Sequence, residues 1–287
     1  MDLLLSQAIE EFLEHLEDKN YAERTLKDYD SELDRFNRWL VKQYNRPVYL
    51  SELEEEDLKA HLKHLSNKGN KPTYRNKILY TYKSFFKFIE KKELGQNLAK
   101  NLEKSKTRSK EREYLTQEEM DKVLNEIEQH LIWYVTSFLF KTGMRIGACL
   151  NLRLDDLDFG NEVIEVRQAK GNKDRKIAMS SKLKEELEEY LEEHRPEVAT
   201  DYVFANKKTG SLSPRHYNRR LKQAVKRAGI KKKITAHCIR HSTAMALINE
   251  DVELPTIQRI LSHENLSTTS QYLHSDLSKA REAVESL

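Results

Sequence analysis

Six side chains scattered along 287 residues have the types and order needed for phosphate chemistry. Arg145 stands in Thr142-Gly143-Met144-Arg145-Ile146 and Lys170 in Lys170-Gly171-Asn172-Lys173-Asp174-Arg175. His237 and Arg240 share His237-Cys238-Ile239-Arg240-His241, His263 follows in Leu261-Ser262-His263, and Tyr272 lies nine residues further on. Breaking a phosphodiester requires charge stabilisation on the non-bridging oxygens, a nucleophile, and a proton for the departing oxygen. Guanidinium forks match phosphate geometry and stay charged, so Arg145 and Arg240 meet the first need. His237 precedes Arg240 by three positions, which puts both on one helical face, and a histidine there can bond a phosphate oxygen or shuttle a proton. Tyr272 is the candidate nucleophile. Its phenol, with an ordinary pKa of about 10, attacks poorly alone, but clustered cations make the phenolate more accessible. Attack on phosphorus would leave a phosphotyrosine that stores the bond for rejoining. Lys170 at a hairpin tip is placed to protonate the departing 5′ oxygen.

Each of these residues has a plainer reading. Tyr272 is one of thirteen tyrosines, and a lysine in a turn is ordinarily solvated. Only the company of two arginines and His263, in this order, raises both. His237 and His241 have the i, i+4 spacing of a zinc helix, but Cys238 replaces the glutamate of the HExxH pattern. No metal and no cofactor is therefore expected, and His241 reads as a buried helix residue supporting the site.

Helices and one hairpin must position these groups. Leu5, Ile9, Phe12, Leu13 and Leu16 fit one helical face, and Thr25 to Leu40, Asp57 to Leu65 and Thr73 to Ile89 continue the pattern. Four helices with short connections predict a compact bundle. The polar, basic stretch up to Arg112 reads as a linker, giving a first domain over 1–98, a linker over 99–112 and a second domain over 113–287. Thr116-Gln117-Glu118-Glu119 is a capping box that opens the second domain, and Gly143 should end its core helix, Leu131 to Phe140. Arg145 should then project from the start of the next helix, where the backbone dipole also favours an anion. Val163 to Val166 and Arg175 to Met179 flank turn residues and predict a hairpin. Helices follow at about 181–194, 214–228, 236–249, where Thr235 is the expected cap, and 255–262. The fold class is mainly α with a small antiparallel β-sheet.

Net charge is only +3, yet residues 202–249 hold twelve Lys/Arg and no Asp or Glu. Such a concentration points to a polyanion surface whose binding weakens steeply with salt. Arg215, Arg219 and Arg220 in this stretch, Lys173 and Arg175 on the hairpin, and Lys71, Arg75 and Lys77 in the first domain are the candidate DNA contacts. The longest apolar run, Leu131 to Phe140, is too short to span a bilayer. The start of the chain has no secretory signature, and two distant cysteines suit a reducing compartment. A cytoplasmic protein without membrane contact is expected.

The set Arg145, Lys170, His237-x-x-Arg240, His263 and Tyr272 resembles the active site of tyrosine recombinases, the phage-integrase family. The wording around it agrees, through Thr268-Thr269-x-x-Tyr272-x-His274, and the resemblance covers the whole chain. It implies a SAM-like core-binding domain in the front half and a catalytic tyrosine recombinase domain behind it. It further implies site-specific strand exchange through a 3′-phosphotyrosine and a Holliday junction, without metal or ATP. Duplex DNA with an inverted-repeat site and a homotetramer are the implied partners. Length and domain content look most like the Xer subgroup, acting in resolution or in integration and excision. The C-terminal tail, 277–287, is a short amphipathic helix candidate expected to dock on an adjacent subunit. One position departs from the family pattern: Ala148 stands where an acidic residue usually follows the first arginine. That departure favours a second reading, a DNA-binding protein of the same fold with impaired catalysis. A third is a topoisomerase-like relaxing enzyme.

Overall fold

The computed structural model describes residues 3–107, 113–169 and 173–261. They fall into two compact units that divide in sequence between Lys110 and Glu111.

The first unit is the expected bundle: α1 (Leu5–Asp18), α2 (Glu23–Tyr44), α3 (Glu55–Asn67) and α4 (Pro72–Lys91). Pro72 occupies the first turn of α4, where a missing N–H costs nothing and the fixed φ suits a helix. Asn45 ends α2 in the left-handed region with φ 54°. Phe12, Leu33, Phe36, Leu40, Tyr82, Phe85, Phe86 and Ile89 fill the centre, each contributing on the order of 1.5–3 kcal/mol by leaving water. Part of the stretch read as a linker packs on this unit. Ala99 and Leu102 are buried in this same core, and the side chain of Asn76 brackets Ser105, donating to its carbonyl at 2.9 Å and accepting from its amide at 2.8 Å. A polar stretch can pack when a few small apolar residues and one amide side chain hold it.

The second unit opens with α5 (Gln117–Asn125), capped by Thr116 with the predicted reciprocal bonds to Glu119. Then come α6 (His130–Thr142), α7 (Ile146–Leu150), three antiparallel strands, α8 (Ser181–Glu189), which runs into a π-helical turn ending at His194, α9 (Pro214–Arg227), α10 (Ala236–Asn249) and α11 (Leu254–Leu261). The strands are β1 (Leu157–Asp158), β2 (Val163–Ala169) and β3 (Lys173–Ala178), in the order β1-β2-β3. The sheet thus has one short strand more than the hairpin predicted. Helix α6 is buried almost all round, so its polar residues must find partners inside. Thr136 donates to the Ile132 carbonyl at 2.7 Å, Thr142 to that of Phe138 at 2.7 Å, and Ser137 to Glu186 at 2.7 Å. Among the described residues no helix is long and apolar enough to cross a membrane.

Candidate active site

Two helix junctions carry the arginines. Helix α6 stops at Gly143, whose φ is +61°, and the chain reappears at the surface with Arg145, the residue that caps α7. Helix α7 has only five residues, so the dipole support expected there amounts to little more than one turn, and the guanidinium itself supplies the charge. Helix α10 starts beyond Thr235, but not as the sequence predicts. The Thr235 hydroxyl meets Cys238 Sγ at 3.4 Å, and the first helical amide, Ala236, donates instead to Asn218 Oδ1 of α9 at 2.8 Å. His237 is exposed in the first turn of α10, and Arg240 lies one turn on, buried at 4% exposure.

A buried guanidinium is costly unless its donors are satisfied. Nη1 of Arg240 donates to the Gly143 carbonyl at 2.5 Å and Nη2 to the carbonyl of Leu261, the last residue of α11. Main-chain dipoles solvate the charge through these bonds. Gly143 lies two residues before Arg145, so this link spans 97 positions of sequence and ties the two arginine-bearing segments together.

The hairpin brings a third cation. Arg175 pairs in register with Val166, a buried residue of the core, and is itself half-buried. Burial first, and the Arg145 charge second, hold the Arg175 guanidinium below its ordinary pKa. The two groups are therefore within electrostatic reach, and like charges held together are stabilised by an anion. Lys173 opens β3 opposite Ala169. Lys170, His263 and Tyr272 lie outside the described residues, as does the tail 277–287. The structure thus sets the Arg240 guanidinium on the carbonyl two residues before Arg145, places Arg175 where it feels the Arg145 charge, and carries His237 on the helix of Arg240. His241 is buried with Tyr114 edge-on at 5.5 Å. Ala148 is half-buried against the core.

The remaining candidate contacts divide by environment. On α9, Arg215, Arg219, Lys222 and Lys226 are exposed at positions that share one helical face. Arg220 is half-buried and bonds Gln223 at 3.2 Å. In the first unit Lys71 is exposed at the head of α4, Arg75 bonds Ser66, and Lys77 reaches Glu32 at 3.3 Å and Asp28 at 3.6 Å. Among the described residues, Glu189, Glu193 and His194 offer donor atoms within 4.8 Å of one another. That group, with its two carboxylates exposed and His194 half-buried, includes none of these arginines. Sequence reasoning missed Gly143, Leu261 and Asn218 as supports of the site. The glycine was legible as a helix stop, but nothing local marks which carbonyl or amide a distant side chain will use.

Comparison with known proteins places this architecture. Residues 113–279 match the model of the phage integrase family, and residues 9–93 match the phage integrase N-terminal SAM-like domain. A tyrosine recombinase of Thermosipho africanus is 31% identical over 99% of this chain and 100% of its own length. A tyrosine recombinase XerC of Oceanobacillus iheyensis is 30% identical over 96% of this chain and 93% of its own. Among solved structures, the Tn1549 transposon integrase in complex with circular intermediate DNA shares the fold with a TM-score of 0.77 at 19% identity. The match covers 99% of this chain and 100% of that one.

Proposed function

The chain belongs to the phage integrase family of tyrosine recombinases, and we propose that its second unit cuts one DNA strand with Tyr272, steered by the arginine cluster. The phenolate oxygen of Tyr272 attacks phosphorus, the bond from phosphorus to the 5′ oxygen breaks, and Lys170 supplies the proton that this oxygen takes up. The products are a 3′-phosphotyrosine and a free 5′ hydroxyl, and the reverse attack by a 5′ hydroxyl from another strand rejoins DNA in new order. Arg145 and Arg240 hold the non-bridging oxygens, and His237 and His263 bond the same phosphate or move its protons. Arg175 adds positive charge beside Arg145, and the exposed stripe of α9 grips the neighbouring backbone phosphates. No metal or nucleotide takes part in this scheme.

The observation that carries the reading is the Arg240 bond to the Gly143 carbonyl, which joins the two segments that a phosphate clamp requires. Two similar structures suggest the assembly: a lambda integrase tetramer bound to a Holliday junction, and the Tn1549 transposon integrase in complex with circular intermediate DNA. By analogy, four copies of this chain act on a pair of inverted-repeat sites in the cytoplasm. The tail 277–287 docks on a neighbouring subunit and couples Tyr272 to assembly.

A nicked duplex carrying the site selected from random DNA tests the scheme. The wild-type chain forms a covalent protein–DNA adduct, and Tyr272→Phe forms none while still binding. An adduct that survives in Tyr272→Phe removes the nucleophile assignment. Tight binding without any wild-type adduct would move the protein to the architectural reading. Adduct and relaxation with no two-site product would make it topoisomerase-like.

A further inference from the structure

Gly143 combines three features that ending a helix does not require together. Its φ of +61° is in the region glycine enters without penalty. Its carbonyl accepts from Arg240 at 2.5 Å. Its Cα is so close to α11 that a methyl group there would overlap Cδ2 of Leu261 and press on Cγ2 of Thr243 at 3.4 Å. Leu261 is buried with Ala244, Met245 and Ile257, and its own carbonyl accepts from the other terminal nitrogen of Arg240. One guanidinium is therefore held at both ends, by the turn between α6 and α7 and by the end of α11, and the two holders touch each other. Thr243 closes the arrangement, its hydroxyl donating to the Phe140 carbonyl at 2.8 Å while its methyl faces Gly143.

We propose that Gly143 and Leu261 are positioning residues for strand cleavage: their carbonyls preset the plane of the Arg240 guanidinium, and a glycine is required because only a residue without Cβ lets both reach one side chain. A long, flexible arginine ordered before substrate arrives spares the reaction that ordering. Donors already aimed where charge will develop are the ones that accelerate chemistry. The inference rests on the reading of Arg240 as a phosphate ligand, so its test has one arm that needs no DNA.

In the free protein, with the guanidino nitrogens of arginine isotope-labelled, nuclear magnetic resonance reads rotation of the terminal nitrogens. Arg240 is expected to rotate slowly, Arg145 freely, and Gly143→Ala to release Arg240. If Arg240 rotates as freely as Arg145 in the wild type, the clamp does not exist. In the second arm, single-turnover cleavage of the nicked duplex is measured at saturating DNA. Gly143→Ala should lower that rate by about 10- to 100-fold, as small misplacements of a catalytic group do, while duplex affinity stays within roughly 3-fold, since exposed basic residues dominate it. The double variant Gly143→Ala/Leu261→Ala removes the overlap and should recover part of the rate. An unchanged rate in a variant whose Arg240 has come loose would overturn the positioning role. If the wild type forms no adduct, the functional reading has failed, and the free-protein arm still decides the clamp. Should Gly143→Ala not fold, Leu261→Ala alone, which loosens the end of α11 without straining the turn, carries both readouts.

Discussion

Glu32 in the first unit and Arg240 in the second are nearly equally buried, at 5% and 4% exposure, and they are satisfied in different ways. Glu32 accepts from Tyr74 at 2.8 Å and is neutralised by Arg35 at 3.1 Å and Lys77 at 3.3 Å. Arg240 donates to two main-chain carbonyls, and a carbonyl dipole can orient a cation without cancelling its charge. Nearby, Arg145 and Arg175 repel each other. An opposite charge close by completes an ion pair and adds stability. A dipole close by keeps the charge in place and leaves its field to act on something else. In the first arrangement opposite charges fix the side chain, as architecture requires; in the second, main-chain carbonyls hold a guanidinium by its terminal nitrogens.

The largest expected effect breaks the second of these arrangements. Arg145→Ala should reduce the cleavage rate at saturating DNA by about 10²–10³-fold, the usual loss for one transition-state donor, or roughly 3–4 kcal/mol. The thermal midpoint should barely move, because the side chain is exposed. A normal rate, or a large drop in stability, would place Arg145 with the architectural charges.

The next effect belongs to the first unit. His61 is buried between Phe36 and Trp39, with Nδ1 2.5 Å from the Tyr82 hydroxyl, and burial above all pushes its pKa down to about 4. A histidine that is neutral when folded and ordinary when unfolded stabilises fully above the unfolded value, about 6.5. As pH falls below that, the unfolded chain takes up the proton first, and stability is lost until the folded pKa is passed. The wild type should lose thermal stability between about pH 6.5 and 4, and His61→Asn, which does not titrate, should lose less over that interval. Identical slopes for the two proteins would show that this buried histidine plays no part in the acid response.

The smallest effect lies on the stripe of α9. If Arg219 and Lys222 each neutralise a backbone phosphate, replacing either by alanine should weaken binding to all duplexes alike. It should also reduce the magnitude of the slope of log K against log salt by about 1. A change in sequence preference with an unchanged salt slope would assign them to base contacts instead.

Much of this molecule was legible in its sequence because the signals are local. Apolar spacing marks α1 to α4, since a helix returns the same face every three to four residues. The Thr116 capping box and the Gly143 stop are decided within four residues of chain. The order of Arg145, His237 and Arg240 was equally plain, and so was the family it resembles. Tertiary structure alone decided which partners those elements meet. It gave the first amide of α10 the side-chain oxygen of Asn218 as its acceptor, rather than the hydroxyl of Thr235. It drew Ala99 and Leu102 into a core that the polar residues around them disguise, and it turned Lys77 toward Glu32. It also set the carbonyls of Gly143 and Leu261, 97 and 21 positions away, on one guanidinium. Main-chain carbonyls are the same at every residue and carry no mark in a sequence. Only the packing of helices distant along the chain selects which of them a buried arginine will find.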